Sequence, residues 1–255
     1  KCDILGHAND LSNFLKAEYS LQADHSYYTM LKSFETNTEV GVMQSFASSK
    51  RKRGWSHLED PAHVQLSVRY SLSALPESDF TPRLADARVG YFQTLWRVWG
   101  DESLMDPYMR VANHWNLQKA HPESALSEPL EPIVYWMDKR IPEQWRPAVR
   151  RGFELWNQAF EEAGFENALV LKQMPDDATW DPADIRYNTI RWVASNEPAF
   201  GAMGPSQVNP YTGEILNADI LVEADMVRRV AWGWRASIET LGHVDASTAT
   251  QCGSL

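Results

Sequence analysis

Trp145, Val149, Phe153, Trp156, Phe160 and Ala163 recur at spacings of three and four, between one short apolar run at 133–137 and another at 168–173. Apolar residues at that period line one face of an α-helix. Strand, long amphipathic helix and strand together make a crossover unit, and such a connection favours parallel pairing of its two strands. Pro142 and Glu143 mark the start of the helix, and Gly164 marks its end, because glycine takes the left-handed conformation past a helix at little cost. A third strand is predicted at 185–193 and a fourth at 214–222, after the turn 209–213. A second helix is predicted at 225–241, with Met226, Val230, Trp234, Ile238 and Leu241 on one side.

Upstream the period is two. Val40, Val42 and Phe46, then Val64, Leu66, Val68 and Tyr70, alternate with polar residues between 39 and 75. This predicts two antiparallel strands around the basic run Lys50-Arg51-Lys52-Arg53, itself read as a solvated turn. Further strands are expected at 89–98 and 109–117, parted by Gly100-Asp101-Glu102 and Asp106-Pro107. The stretch 121–132 holds three prolines and three glutamates, which reads as an extended connection. The domain boundary is placed there. The expected fold class is α+β, with a β-rich domain over 1–127 and a sheet-and-helix domain over 128–255.

The formal net charge of -10 repels phosphate backbones and anionic headgroups, so nucleic acid and membrane surfaces are not expected partners. No apolar stretch approaches the roughly 18 residues needed to span a bilayer, and Lys1-Cys2-Asp3 does not open a signal peptide. Cys2 and Cys252 stand at opposite ends without a spacing that suggests a disulfide framework.

A hydrolytic or nucleotide-binding centre is not written in the sequence: HExxH, GxSxG, the P-loop and GxGxxG are all absent. No two of the seven histidines have the i, i+4 spacing that turns both imidazoles to one side of a helix. His57 and His63 lie six apart and read as surface residues, as do His114 and His121. Asp176, Asp177, Asp181 and Asp184 form an oxygen-rich cluster, but without the order of a calcium loop, so a solvated turn with capping roles is the favoured reading. The most unusual local pattern is Ala202-Met203-Gly204-Pro205-Ser206 followed by 212–220, where glycines and a proline deliver the chain into an alternating strand. It reads either as a plain loop and edge strand or as an edge whose free backbone groups pair with an extended peptide.

Several segments, taken in order, resemble a known family. They are Arg69-Tyr70-Ser71-Leu72 with 75–76, 82–92 and 114–119; then 131–138, 142–147 and 156–165; then 184–187, 190–193, Gly204-Pro205-Ser206 and 212–220. The chain resembles the large bacterial zinc-dependent metalloproteases that place a domain of uncharacterised function before a metzincin-type catalytic domain. The resemblance implies that 128–255 is the sheet-plus-long-helix half of a metzincin-like catalytic domain. It further implies a peptide or protein substrate bound antiparallel along the edge strand by Leu216, Asn217, Ala218, Asp219, Ile220 and Leu221, with Gly204, Pro205 and Ser206 shaping the approach. In such enzymes zinc is held by an HExxHxxGxxH helix that follows this strand. That motif is absent here, so no catalytic residue and no metal ligand is carried over, and the remaining half of the catalytic domain is an expected partner. The resemblance also implies a secreted or periplasmic location. The alternative expectation is a non-catalytic peptide- or protein-binding module, its ends clipped by Cys2 and Cys252; a weaker one is an inhibitory or chaperone-like segment acting on a related protease.

Overall fold

Mixed α+β architecture follows from these two periods. The structure is a computed structural model that describes residues 7–49, 60–100, 105–195 and 200–241, with side chains of the last helix described as far as Arg235. The chain divides into two compact units, 1–77 and 78–255. The Pro- and Glu-rich stretch 121–132, where the boundary between 1–127 and 128–255 is placed from sequence, lies inside the second unit.

The first unit contains α1 (His7–Leu15), β1 (Ser20–Leu21), β2 (Tyr27–Ser33), β3 (Asn37–Ala47) and β4 (His63–Ser73). β3 and β4 pair antiparallel over their whole length, from Asn37 opposite Ser73 to Ala47 opposite His63, as their alternation predicts. β1 and β2 both pair antiparallel with the other side of β3. Leu11 and Leu15 place one face of α1 against Tyr19, Phe46 and Val64. Glu39 is buried on β3, and its carboxylate accepts from Asn37 Nδ2 (2.8 Å), Arg69 Nε (2.6 Å) and Ser71 Oγ (2.5 Å), so the charge is compensated across the ladder. The basic run 50–53 lies outside the described residues.

The second unit opens with β5 (Gln93–Arg97) and β6 (Tyr108–Ala112), an antiparallel pair shorter than the strands expected at 89–98 and 109–117. At the first, the Asp86 carboxylate accepts the Arg88 N–H (2.9 Å) and grips the Arg88 guanidinium, which holds the chain in a turn before Gln93. At the second, the main chain of His114 leaves the ladder to bond Gly213 and Ile215.

Next come β7 (Ile133–Met137), α2 (Arg146–Glu162), β8 (Leu169–Gln173), β9 (Asn188–Val193), β10 (Ala202–Met203), β11 (Ser206–Val208), β12 (Ile215–Ala218), β13 (Ile220–Glu223) and α3 (Ala224–Leu241). Five of these strands form one sheet in the order β10-β13-β9-β7-β8. β13, β9, β7 and β8 run parallel, and β10 lies antiparallel at the margin. The predicted crossover through α2 is present, and Gly164 ends it with φ +89°. Ile133, Tyr135 and Met137 alternate inward on β7, where they meet Phe153 and Ile190, with Trp145, Val149 and Phe160 packed at the border. Trp156, placed on the packing face from sequence, is instead 65% exposed. Asn157 takes the inward direction, and its amide bonds both the N–H and the C=O of Leu169 (2.9 and 3.0 Å) at the start of β8.

α3 also departs from expectation. Val230 and Trp234, two members of its predicted packing stripe, are exposed.

Candidate functional site

Residues 201–223 form one folded-back unit. Ala202 lies opposite Val222, Met203 opposite Leu221, Ser206 opposite Ala218 and Gln207 opposite Asn217, until the register shifts between Gln207 and Val208. A tight loop closes the unit. Asn209 accepts from Gly213 N–H (2.9 Å) through its main-chain carbonyl and from Tyr211 N–H (3.0 Å) through its side chain. Gly213 adopts φ +80°, a conformation that costs other residues energy, and a Cβ there would lie 2.7 Å from the Ala112 carbonyl.

All the predicted site residues fall on this unit, but their arrangement corrects the expected edge strand. The strand expected to run through 214–222 is broken at Asp219 into β12 and β13. The Asp219 carboxylate accepts from the Thr189 N–H (2.9 Å) and hydroxyl (2.8 Å), which draws the residue toward β9. Leu216, Asn217, Ala218, Asp219, Ile220 and Leu221 are therefore not a free edge: residues 201–207 already lie against them, with the Asp219 N–H donated to Pro205 (3.0 Å) and the Glu223 N–H to Gly201 (3.0 Å). Gly204, Pro205 and Ser206 belong to that covering segment and are exposed.

The margin of the sheet is β10. Because Gly201 and Pro205 turn their carbonyls toward β13, alternation turns the N–H and C=O of Ala202 and Gly204 outward. Gly201 through Ser206 are all exposed, so among the described residues this short margin offers unpaired backbone groups flanked by small residues.

The polar residues behind the margin are structural. Asn217 donates to the carbonyls of Ile185 (2.9 Å) and Tyr187 (3.2 Å), while Asn188 accepts from Ala218 N–H (2.9 Å) and donates to the Val134 carbonyl (2.9 Å). Glu223, fully buried, accepts from Ser195 N–H and Oγ (3.1 and 2.7 Å) and from Asp225 N–H (3.2 Å), so it secures the entry to α3. Burial first, and then the charge of Asp219, push the Tyr135 hydroxyl above its ordinary pKa, which keeps it neutral.

Beside β12 lies an open cleft of about 420 Å³, bordered by Trp115, Glu131, Trp136, Asn188, Glu214 and Leu216. Only Leu216 of these was singled out from sequence as a site residue. Glu214 sits in a Thr-Gly-Glu turn, where an acid reads as solvated; its burial comes from the His114 main chain pairing alongside it. Elsewhere, the Asp184 carboxylate is held below its ordinary pKa by hydrogen bonds from the Arg186 guanidinium, and Asp181 accepts the Ala183 N–H (2.9 Å). His63 bonds Asp60 (2.7 Å), and His57 lies outside the described residues.

Residues 4–120 match a family described as a domain of unknown function (DUF5117), which covers less than half of the chain. No curated protein and no solved structure matches.

Proposed function

We propose that 128–255 is the sheet-and-long-helix part of the catalytic domain of a zinc-dependent endopeptidase of the metzincin type, and that an extended peptide pairs along the outer side of β10. The observation that carries this reading is the sheet itself: four parallel strands, entered through a crossover helix, end in one exposed antiparallel strand with outward backbone groups. A peptide laid beside Ala202 and Gly204 would gain main-chain hydrogen bonds without displacing any side chain of size. This role moves from 216–221 to β10 and its flanks, while 216–221 supports it from behind. Among the described residues no group of three or more His, Cys, Asp or Glu gathers, so these residues do not fit zinc and no step of hydrolysis is assigned to them. On this reading the zinc and its general base belong to sequence outside these 255 residues, and the protein is exported. Among the described residues no helix is long and apolar enough to cross a membrane.

The decisive measurement is intact mass of the protein purified from its natural source, with zinc analysis on the same sample. A mass well above 29.1 kDa with stoichiometric zinc and peptidase activity is expected. In that protein, Ala202→Pro removes an outward donor and should raise KM for peptides. A mass equal to this chain without zinc would overturn the enzyme reading and leave a peptide-binding module.

A further inference from the structure

We propose that the cleft beside β12 binds an organic cation, an alkylammonium or guanidinium group, with Glu214 as its anchor. Glu214 is 7% exposed and its Oε2 has no hydrogen-bond partner among the described residues. A buried carboxylate oxygen in that state demands a donor. The residue is not placed there loosely: its main-chain carbonyl accepts from Asn209 (2.8 Å), Gly213 precedes it with positive φ, and Ile215 after it donates to His114 (2.9 Å).

The surroundings are short of donors. His114 Nδ1 lies 3.0 Å from the Trp115 carbonyl, which can only accept, and its Nε2 is buried with no hydrogen-bond partner among the described residues. Among the charged groups that border the cleft, Arg186 is matched by Asp184, whose carboxylate it grips through Nε and Nη2 (3.0 and 2.6 Å). Among the described residues that border the cleft, Glu131, at the exposed rim, and Glu214, inside, leave negative charge that Arg186 does not match.

Trp115 and Trp136 line the cleft with aromatic surface of the kind that holds an organic cation in preference to a neutral chain, and the Lys172 ammonium already stands 5.4 Å from the Trp136 ring. A bare metal ion is the poorer match, because no three ligating side chains gather among the described residues. The volume is in the range of small-ligand sites and admits either a basic side chain of a peptide or a free amine. The proposal stands apart from the peptidase reading, since the cleft borders β12 and not β10.

The test is calorimetry, backed by ligand-observed NMR, on the 255-residue chain with Nα-acetyl-lysine methylamide, putrescine, agmatine and the neutral norleucine analogue. Saturable binding of the cations, roughly tenfold or more tighter than the norleucine analogue, is expected, with Glu214→Gln losing about that factor. Glu131→Gln, at the rim, should lose less. A preference for acetyl-lysine over putrescine assigns the site to peptides, and the reverse to free amines; either upholds it. Cations that bind no better than the neutral analogue, or unchanged binding by folded Glu214→Gln, would overturn it. If Glu214→Gln does not fold, the comparison of cation and neutral analogue on the parent chain decides alone.

Discussion

Gly213 holds the loop between β11 and β12 at φ +80°, and a methyl group there would also crowd Val111 Cγ2 at 3.0 Å. Gly213→Ala combines backbone strain with a clash against the Ala112 carbonyl, so it should lower stability by about 2 kcal/mol, read from chemical denaturation. Asp184 makes a different kind of contribution. Hydrogen bonds from Arg186 depress its pKa in the folded chain below the ordinary 3.8, so its stabilisation is present above that value and is lost as pH falls through the lower, folded one. Asp184→Asn should cost about 1–3 kcal/mol at neutral pH, and its melting temperature should fall less than that of the parent between pH 5 and pH 3. An equal fall in both proteins would show that this carboxylate is not what acid attacks. The same Asp-x-Arg arrangement recurs at Asp86 and Arg88 and at Asp138 and Arg140, where each Asp accepts the N–H two residues on and pairs with the guanidinium. Of the three only Asp184 was read beforehand, as part of a solvated turn with capping roles: it does accept the Arg186 N–H (3.1 Å) but is buried, and the other two were not legible because an acid two residues before an arginine carries no period.

At the scale of elements, α2 separates two aromatic residues that a helical wheel treats alike. Phe153 is buried against Tyr135, ring to ring at 5.3 Å, whereas Trp156 points to solvent. Phe153→Ala should cost about 3–5 kcal/mol, and Trp156→Ala within about 0.5 kcal/mol of nothing, measured by urea unfolding of the two variants side by side. Long periodic elements such as α2, β3 and β4 were legible because repetition outweighs any one residue. α1 was missed: it has nine residues, and only Leu11 and Leu15 of it are buried. The break between β12 and β13 was illegible for another reason. Alternation continues through Asp219, and the strand divides where its carboxylate bonds Thr189, thirty positions away, and pairs with Arg191. The same distance effect hid which strand forms the margin, since β10 is two residues long and becomes one only through its pairing with β13.

For the molecule as a whole, exposed apolar side chains and net charge act against each other. α2 exposes Leu155 and Trp156, and α3 exposes Val230, Trp232 and Trp234, each of them more than half exposed. Large apolar side chains left uncovered favour self-association. At pH 7 the net charge of -10 opposes it by mutual repulsion. That repulsion disappears near the sequence pI of 5.2, while the Asp184 carboxylate, which Arg186 holds below its ordinary pKa, is still ionised there. Association should therefore rise from pH 8 toward pH 5.2 without unfolding, seen as growing light scattering at constant circular dichroism, and Leu155→Glu should reduce it at every pH by placing charge on the exposed side of α2. A chain that stays monomeric across that range would mean that these side chains are too scattered to form a sticky surface, and that no covering partner is needed to explain them.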